Sequence, residues 1–391
     1  MLRDSIRSKS IIISTHEFAS GFPQYMEEYL FQNKIKNLLY IHHPLHLDQK
    51  DGSGFRIYSN GSLIKEKKDI YKTKISVITF FLDFLSNIYW VLKTKKRWDL
   101  YVGSNNLNAF SGLFLKKLGL VSKCVFYTVD FIPNRFSRPL LNKVYLWIDG
   151  FCTKHCDETW ILSPRVIEGR HEYLKLDKKY DKKQILVPEG VWLSRIKRKT
   201  FSDINKTRAV FVGHLVERMG VQKVIEAIPQ IVKKIPNFKL IIIGTGDYKD
   251  RLRKLAEDLR VTDKVVFTGY IGDHKNVEDL IASCAVGIAC YKKDDGSFTY
   301  YAEPSKTKVY LGAGIPVVMT DMFYNAYDIE KAGAGKVVEY DEKSIAKAII
   351  SVLSNANKLE NYRNEALEFI KDYDWVKIFE KNLSRILKQR P

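Results

Sequence analysis

The sequence predicts an α/β protein with two doubly wound domains, each a parallel sheet with helices on both faces. Short apolar segments recur along the 391 residues, and most precede a longer segment with helical spacing. These segments lack alternating polar residues, which is typical of strands that are buried on both faces. A basic, polar stretch near residue 200 separates two such series, and the chain is long for a single core.

Six predicted strands and the helices between them form the first domain. The strands are residues 11–13, 38–41, 100–102, 124–127, 159–162 and 185–187, and helical spacing is clearest in residues 107–118 and 140–156. Strands that alternate with helices build βαβ units with right-handed crossovers. We therefore assign residues 1–190 to the first domain.

A second series of strands predicts a second domain over residues 208–372. Its strands are residues 209–212, 240–243, 265–267, 286–289, 316–318 and 336–338, with helical spacing in 221–234, 248–259 and 306–312. Six basic residues crowd positions 195–208, so residues 191–207 are predicted to be an exposed linker. Residues 373–391 carry apolar positions on one helix face, which predicts a helix that crosses back to the first domain.

Small and charged residues follow the strands of the second domain. Gly213, His214 and Arg218 come after its first strand, and Gly244 and Gly246 come after its second. Ligands of open parallel sheets bind beyond the carboxyl ends of the strands, and glycine lets them approach the backbone. A tight turn without any ligand explains the two glycines after the second strand equally well.

Another group of polar residues lies where a short helix is predicted to begin. Pro304 suits the first turn of a helix, and Glu303 comes just before it. The Glu303 carboxylate can bind sugar hydroxyls, while Ser305 and Lys306 lie at the helix start, where N–H groups and an amine can hold a diphosphate. Lys308 is a further base on the same helix.

The order and spacing of these motifs resemble glycosyltransferase family 4 and its relatives, whose two-domain fold is called GT-B. The matching stretches are Gly213-His214-Leu215 with Gly220-Val221, Ile243-Gly244-Thr245-Gly246, Val266-Phe267-Thr268-Gly269-Tyr270, Gly314-Ile315-Pro316-Val317-Val318, and Pro188-Glu189-Gly190-Val191 at the domain junction. The match is good over residues 208–338 and looser in the first domain. It implies two Rossmann-like domains that face a cleft, with an acceptor bound by the first and a nucleotide sugar bound by the second.

The resemblance also implies roles for individual residues. Donor binding falls to Gly213, His214, Arg218, Gly244, Gly246, Tyr270, Glu303, Ser305, Lys306 and Lys308. Glu303 is in addition a catalytic candidate. Retention of the anomeric configuration is implied as well, and neither a metal ion nor another cofactor is expected.

The chain departs from the family where the donor diphosphate is usually held. The family's Arg and Lys correspond to His214 and Met219, and its acidic pair corresponds to Tyr301 and Val309. Donor binding would then depend on Glu303 and on the lysines and arginine named above.

Four residues of the first domain are predicted to serve the acceptor. The family's first-domain histidine falls at Val129, which leaves Asp130 as the polar group after its strand. Asp130 can orient or deprotonate an acceptor hydroxyl, and an Asx-type turn is an equal alternative. His16 is a second catalytic candidate, although a loop histidine is more often structural. Gly21 and Asn105 complete the acceptor side.

A surplus of 19 positive charges predicts an anionic partner. Residues 75–92 are nearly apolar and at the lower margin for a membrane span, and their polar residues favour a buried amphipathic helix. This run is flanked by Lys65, Lys67, Lys68, Lys72, Lys74, Lys93, Lys95, Lys96 and Arg97. The pattern predicts contact with an anionic membrane surface, and no signature indicates nucleic-acid binding.

The cysteines and acidic pairs do not indicate a metal site. Five cysteines without a disulfide pattern fit a reducing compartment, so we expect a cytoplasmic protein at the inner face of the membrane. Cys152 and Cys156 have core-like helical spacing, and Asp372 with Asp374 precedes a helix as a cap would. Asp294–Asp295 is expected to be solvated.

These observations favour a hexosyltransferase (EC 2.4) of polysaccharide or glycolipid biosynthesis, with a saccharide or lipid-linked acceptor. A nucleotide-sugar enzyme without a saccharide acceptor, such as an epimerase, and an inactive scaffold relative are the alternatives.

Overall fold

The chain forms two compact units. The computed structural model describes residues 6–17, 20–45, 49, 51–71, 76–293, 298–303 and 305–388. One unit consists of Met1–Pro188 with Trp375–Pro391, and the other of Glu189–Asp374. Pro304, Asp294–Asp295, Lys72 and Lys74, which the sequence analysis singled out, lie outside the described residues.

The first unit is built on a mainly parallel sheet. Its strands are β1 (Ser10–Glu17), β2 (Asn37–Pro44), β3 (Ser53–Ser59), β4 (Ser62–Tyr71), β5 (Trp98–Ser104), β6 (Val121–Thr128), β7 (Glu158–Ile161) and β8 (Gln184–Leu186). Their order is β4-β3-β2-β1-β5-β6-β7-β8. β3 pairs antiparallel with β2 and with β4, while the other pairs are parallel. All six predicted strands are present, and the β3–β4 hairpin is an addition.

Helices connect these strands and close the unit. They span Phe22–Gln32, Ser76–Lys93, Asn106–Lys117, Pro139–His155, Arg165–Leu174 and Trp375–Lys388, with a 3-10 segment at Lys178–Lys183. In the last of them, the Phe379 ring lies 5.3 Å from that of Phe22, and Arg385 donates to Glu158 at 2.8 Å. The prediction that the C-terminal helix returns to the first domain is therefore confirmed.

The helix Ser76–Lys93 has its polar side turned inward. Asp83 and Asn87 are fully buried, whereas Val77 and Phe81 are 49% and 60% exposed. The expectation that the apolar side would be buried is wrong for these residues, because the interior of this unit contains polar partners for the helix. In the part of the chain that the structure describes, no helix is both long and apolar enough to cross a membrane.

The second unit is built on a parallel sheet. Its strands are β9 (Arg208–Val212), β10 (Lys239–Ile243), β11 (Val265–Gly269), β12 (Val286–Ala289), β13 (Val317–Thr320) and β14 (Gly335–Val338), in the order β11-β10-β9-β12-β13-β14. Its helices span Val221–Val232, Lys249–Asp258, His274–Ala282, Phe298–Tyr301, Lys306–Gly312, Ala326–Lys331, Glu342–Leu353 and Ala356–Phe369, with 3-10 turns at Glu217–Met219, Thr262–Lys264 and Ile370–Tyr373. The predicted α/β class and strand series are confirmed.

Successive residues of β9 pack on opposite sides of this sheet. Ala209 and Phe211 join one apolar cluster, and Val210 joins the other. This explains why the strand is apolar throughout, since helices cover both faces.

Residues 191–207 differ from the exposed linker that was expected. Val191, Trp192 and Ile204 are buried, and Arg198 donates to the carbonyl of Gly312 at 2.9 Å. The basic side chains of this segment are at the surface, while these apolar residues are buried. The segment is therefore part of the second unit.

The docking of the C-terminal helix is tested by Phe379→Ala. Losing a buried ring should lower the free energy of unfolding of the first unit by about 3–5 kcal/mol. Native-state hydrogen exchange of the β1 and β6 amides measures this. Lys381→Ala, an exposed change on the same helix, is the control and should stay within about 0.5 kcal/mol. Equal exchange in both variants would show that the helix does not stabilise the sheet.

Candidate functional site

The strand order of the second sheet reverses between β9 and β12, and polar groups gather at the carboxyl ends of these strands. Such a reversal leaves an uncovered crevice, which is where ligands of open parallel sheets bind. Gly213 follows β9, Gly244 follows β10, and Tyr291 lies just beyond β12. The glycine loops continue the pairing of the strands, because Gly213 N donates to the Ile243 carbonyl at 2.9 Å.

The glycines are required by the close approach of these loops. A Cβ atom on Gly244, whose φ is +139°, would lie 2.0 Å from the Gly213 carbonyl oxygen. Chain packing alone therefore explains this glycine, in agreement with the tight-turn alternative. A Cβ atom on Gly213 would lie 2.7 Å from the Lys306 amine, so this second glycine makes room for a cation.

Lys306 brings an amine to the crevice, where the described residues provide no counterion for it. Its Nζ lies 4.8 Å from the ring centroids of both Phe211 and Tyr291. Burial lowers the pKa of Lys306 to about 7, and among the described residues no carboxylate acts against that shift. The side chain keeps part of its surface open to solvent. Such an amine can bind a negatively charged group without first breaking an existing ion pair.

Glu303 and Lys308, both expected to contact a donor, instead bind each other. Lys308 Nζ lies 2.8 Å from Glu303 Oε1, and both side chains are buried. Glu303 also accepts from the backbone N–H of Glu189 at 2.7 Å and from Asn325 at 3.1 Å. The Lys308 amine lies 3.3 Å from the centroid of the Tyr373 ring. Both oxygens of Glu303 are thus occupied by contacts that hold the start of the unit to its sheet.

The other predicted donor residues lie on the surface of the second unit. His214, Arg218 and Ser305 are exposed, and Tyr270 is 79% exposed just beyond the end of β11. Gly246 lies against the backbone of Leu215. Of this group, Arg218 lies near enough to Tyr291 for its charge to lower the pKa of that phenol, although burial raises it more. Arg218, Tyr291 and Lys306 therefore form one cluster.

The first sheet reverses its order between β1 and β5, and it places His16 and Asn105 together at that point. Asn105 Nδ2 lies 2.9 Å from His16 Nδ1, and His16 Nε2 lies 3.0 Å from Asp83 Oδ2. Nδ1 accepts from the amide, so the ring proton is on Nε2 and is donated to the carboxylate. These bonds hold His16 as a structural group and leave neither ring nitrogen for proton transfer.

The sequence analysis missed the polar network behind His16. Asp83 accepts from Tyr71 at 2.7 Å and pairs with His43 at 3.2 Å, while Asn87 contacts His43 at 3.1 Å. Burial lowers the pKa of His43 to about 4. Burial also raises the pKa of Asp83, but the bond from His16 and the nearby imidazoles outweigh it and lower that pKa overall. The signal was present, since Asp83 and Asn87 interrupt an apolar run at a helical spacing.

Asp130 lines a cavity of about 240 Å³ in the first unit, together with His16, Asn105 and Arg135. The carboxylate is open to water within the cavity, but the surrounding protein raises its pKa, and the charge of Arg135 offsets this in part. In the described part of the chain it accepts no hydrogen bond, so the Asx-type turn is not formed. Gly21 precedes the helix Phe22–Gln32, donates to Gln24 at 3.0 Å, and does not line this cavity.

A family model matches most of the second unit. Residues 194–369 match the model described as glycosyl transferases group 1. The resemblance to this class of enzymes that the sequence motifs predicted is thereby confirmed.

Curated relatives are similar over part of the chain. A poly(glycerol-phosphate) alpha-glucosyltransferase of Bacillus subtilis is 26% identical over 170 residues, which are 43% of this chain and 24% of the relative. A GDP-mannose-dependent alpha-(1-6)-phosphatidylinositol monomannoside mannosyltransferase of Mycobacterium tuberculosis is 38% identical over 126 residues, 31% of each protein. The chain thus spans about a quarter to a third of the length of these relatives.

Solved structures are similar over nearly the whole chain. Anabaena Alr3699/HepE, crystallised in complex with UDP, is 13% identical with a TM-score of 0.66, covering 97% of this chain and 99% of that one. At this identity the similarity establishes the fold, and the predicted GT-B fold is confirmed.

The buried pair of Glu303 and Lys308 is tested by Glu303→Gln. Removing one charge leaves the other buried, which should destabilise the second unit by about 3–5 kcal/mol in denaturant unfolding. The double variant Glu303→Gln/Lys308→Met should regain most of that loss. Asp279→Asn is the control, because its pair with Lys197 is exposed and should contribute less than about 1 kcal/mol. Glu303→Gln with the stability of this control would contradict the structural role.

Proposed function

We propose, because residues 194–369 match the model of glycosyl transferases group 1, that the protein is a glycosyltransferase. It transfers a hexose from a nucleotide-sugar donor to a saccharide or lipid-linked acceptor in polysaccharide or glycolipid biosynthesis. A glucosyltransferase and a mannosyltransferase among the relatives support a hexose. The observation that carries the proposal is the Lys306 amine at the strand reversal of the second unit, which pairs with no carboxylate among the described residues.

The donor diphosphate binds at Lys306. Sugar transfer requires stabilisation of the negative charge that develops on the leaving diphosphate. The amine of Lys306, with Arg218 near the same tyrosine ring, supplies positive charge there. Tyr270, exposed at the end of the neighbouring strand, offers a ring for the nucleotide base. The proposal assigns no step to a metal ion.

The acceptor binds in the first unit, and Asp130 is the proposed group that receives the proton of its hydroxyl. Its carboxylate has no competing hydrogen bond among the described residues and faces a cavity. His16 and Asn105 act as positioning residues, because they are bonded to each other at the cavity wall. The family resemblance predicts that the anomeric configuration is retained.

We further propose that the first unit lies on the cytoplasmic face of a membrane. Three neighbouring helices expose an outer apolar face, consisting of Val77, Ile78, Phe81, Leu85, Phe114, Leu118, Val144 and Trp147. Ring contacts connect the helices, with Phe84 5.6 Å from Phe110 and Phe110 6.2 Å from Trp147. Exposed lysines at positions 65, 67, 68, 93, 95 and 96 add positive charge. Apolar area with basic neighbours is the pattern that binds anionic lipid.

The activity is tested with a panel of UDP-, GDP- and ADP-hexoses. Release of the nucleoside diphosphate is measured with and without a membrane lipid extract, and we expect release with one donor that increases when extract is added. Binding of none of these donors, measured by calorimetry, would contradict the proposed function. Release that never depends on an acceptor would favour an enzyme without a saccharide acceptor.

Lys306→Gln tests the donor site. Losing a charged partner should weaken binding of the nucleoside diphosphate about 10- to 100-fold. In the wild type the amine loses its proton as pH rises through about 7, so affinity should fall above that pH, at most about tenfold per unit. The variant should lack this dependence between about pH 7 and 9. Lys254→Gln, an exposed change in the same unit, is the control. Wild-type affinity in Lys306→Gln would remove the amine from the site.

The double variant Phe81→Glu/Trp147→Glu tests the membrane surface. Sedimentation with vesicles of anionic phospholipid should show about 10-fold or greater loss of binding, because each ring contributes apolar area to the contact. Wild-type binding should weaken as salt increases. Tyr327→Glu changes an exposed ring of the second unit and should bind like the wild type. Equal sedimentation of the two variants would contradict the assignment of this face.

A further inference from the structure

We infer that the cavity beside Asp130 holds the hydrocarbon of a lipid-phosphate acceptor next to its anionic group. This inference rests on the proposed function and narrows it from saccharide or lipid-linked acceptors to lipid-linked ones. It depends on three properties of the cavity: the composition of its wall, the surface that it adjoins, and the polar groups that line it.

Most of the cavity wall is apolar. The helix Ser76–Lys93 contributes Val77 and Phe80, and the helix Pro139–His155 contributes Leu141, Val144 and Ile148. Sugars are bound mainly through hydroxyl groups, and these five side chains offer no partner for a hydroxyl. At about 240 Å³ the cavity is smaller than the typical ligand pocket of about 300–1,000 Å³. It suits part of a larger ligand.

The cavity adjoins the outer apolar face. Val77 and Val144 line the cavity, and they are also 49% and 47% exposed. These two residues belong to both surfaces, so hydrocarbon that rests on the outer apolar face would lie next to the cavity. A free sugar, whose surface is dominated by hydroxyl groups, would gain little from an adjoining surface of exposed aliphatic side chains.

The cavity wall also carries a guanidinium group. Arg135 lies 5.9 and 5.7 Å from the ring centroids of Phe136 and Tyr145, and among the described residues it has no carboxylate within ion-pair distance. A guanidinium group held by two rings can bind phosphate oxygens in pairs. Asp130 and Asn105 line the same cavity, so a hydroxyl beside that phosphate would reach the proposed base.

Hydrogen bonds hold Asn105, one of the polar residues of the cavity wall, in position. Asn105 caps the helix Asn106–Lys117, accepting from Asn108 N at 3.3 Å, and it donates to His16. A site held by such bonds binds its ligand without first ordering its own side chains. The arrangement therefore points to an amphipathic molecule with hydrocarbon toward the outer apolar face and phosphate toward Arg135.

Octyl phosphate below its micelle concentration is the probe, and calorimetry with the full chain is the measurement. We expect saturable binding, and binding at least about 10-fold weaker for octanol or inorganic phosphate, because each has only half of the recognised chemistry. Val144→Trp fills the cavity and should abolish binding. Leu140→Trp, four residues earlier and outside the cavity lining, should keep it. Val77→Trp fills the cavity from the other helix and serves if Val144→Trp fails to fold.

A matched pair of arginine variants tests the guanidinium group of the cavity wall. Arg135→Gln should weaken octyl phosphate about 10-fold and leave octanol unchanged, whereas Arg138→Gln, an exposed change, should have no effect. No binding of octyl phosphate, or equal binding by Val144→Trp and Leu140→Trp, would overturn the inference. Nucleotide-sugar binding is measured on the same samples. If that binding is present while octyl phosphate fails, the acceptor class is wrong and the proposed function stands. If no nucleotide sugar binds, the proposed function itself fails.

Discussion

A parallel sheet whose strand order reverses leaves one crevice at its carboxyl edge that no connecting helix covers, and this constraint places the candidate site residues of both units. In the second unit the reversal lies between β9 and β12, where Gly213 makes room for the Lys306 amine. In the first it lies between β1 and β5, where His16 and Asn105 meet. The central parallel strands are otherwise apolar because helices cover them, so the polar groups gather at these two points.

Two lysines of one short helix have different surroundings: one is in a buried ion pair, and the other faces the crevice. Lys308 is buried against Glu303 and holds the beginning of the unit to the sheet. Lys306, two residues earlier, faces the crevice with no such partner in the part of the chain that the structure describes, and burial lowers its pKa. The family's second acid corresponds to Val309, so the remaining acid, Glu303, is available for a structural pair. A bound donor diphosphate would supply a negatively charged partner for the Lys306 amine.

Much of the fold could be predicted from the sequence, because continuous apolar strands carry a strong local signal. The β3–β4 hairpin escaped prediction, since β4 is exposed along nearly its whole length and rich in lysine. The orientation of the helix Ser76–Lys93 could not be predicted from its own sequence either. It depends on residues outside the helix, because Tyr71, His16 and His43 are the partners of Asp83. At the candidate site the glycine loops and Lys306 were predictable from spacing. The pairing of Glu303 with Lys308 was not, because it depends on tertiary contacts from Glu189 and Asn325.

The central claim is that an anion completes the charge at Lys306, and the structure of the protein with a bound nucleoside diphosphate tests it most directly. The account predicts the diphosphate at the carboxyl ends of β9 and β12, with one of its oxygens within hydrogen-bond distance of Lys306 Nζ and the Glu303–Lys308 pair unchanged. A diphosphate bound elsewhere, or one held by Lys308 after that pair has broken, would contradict it.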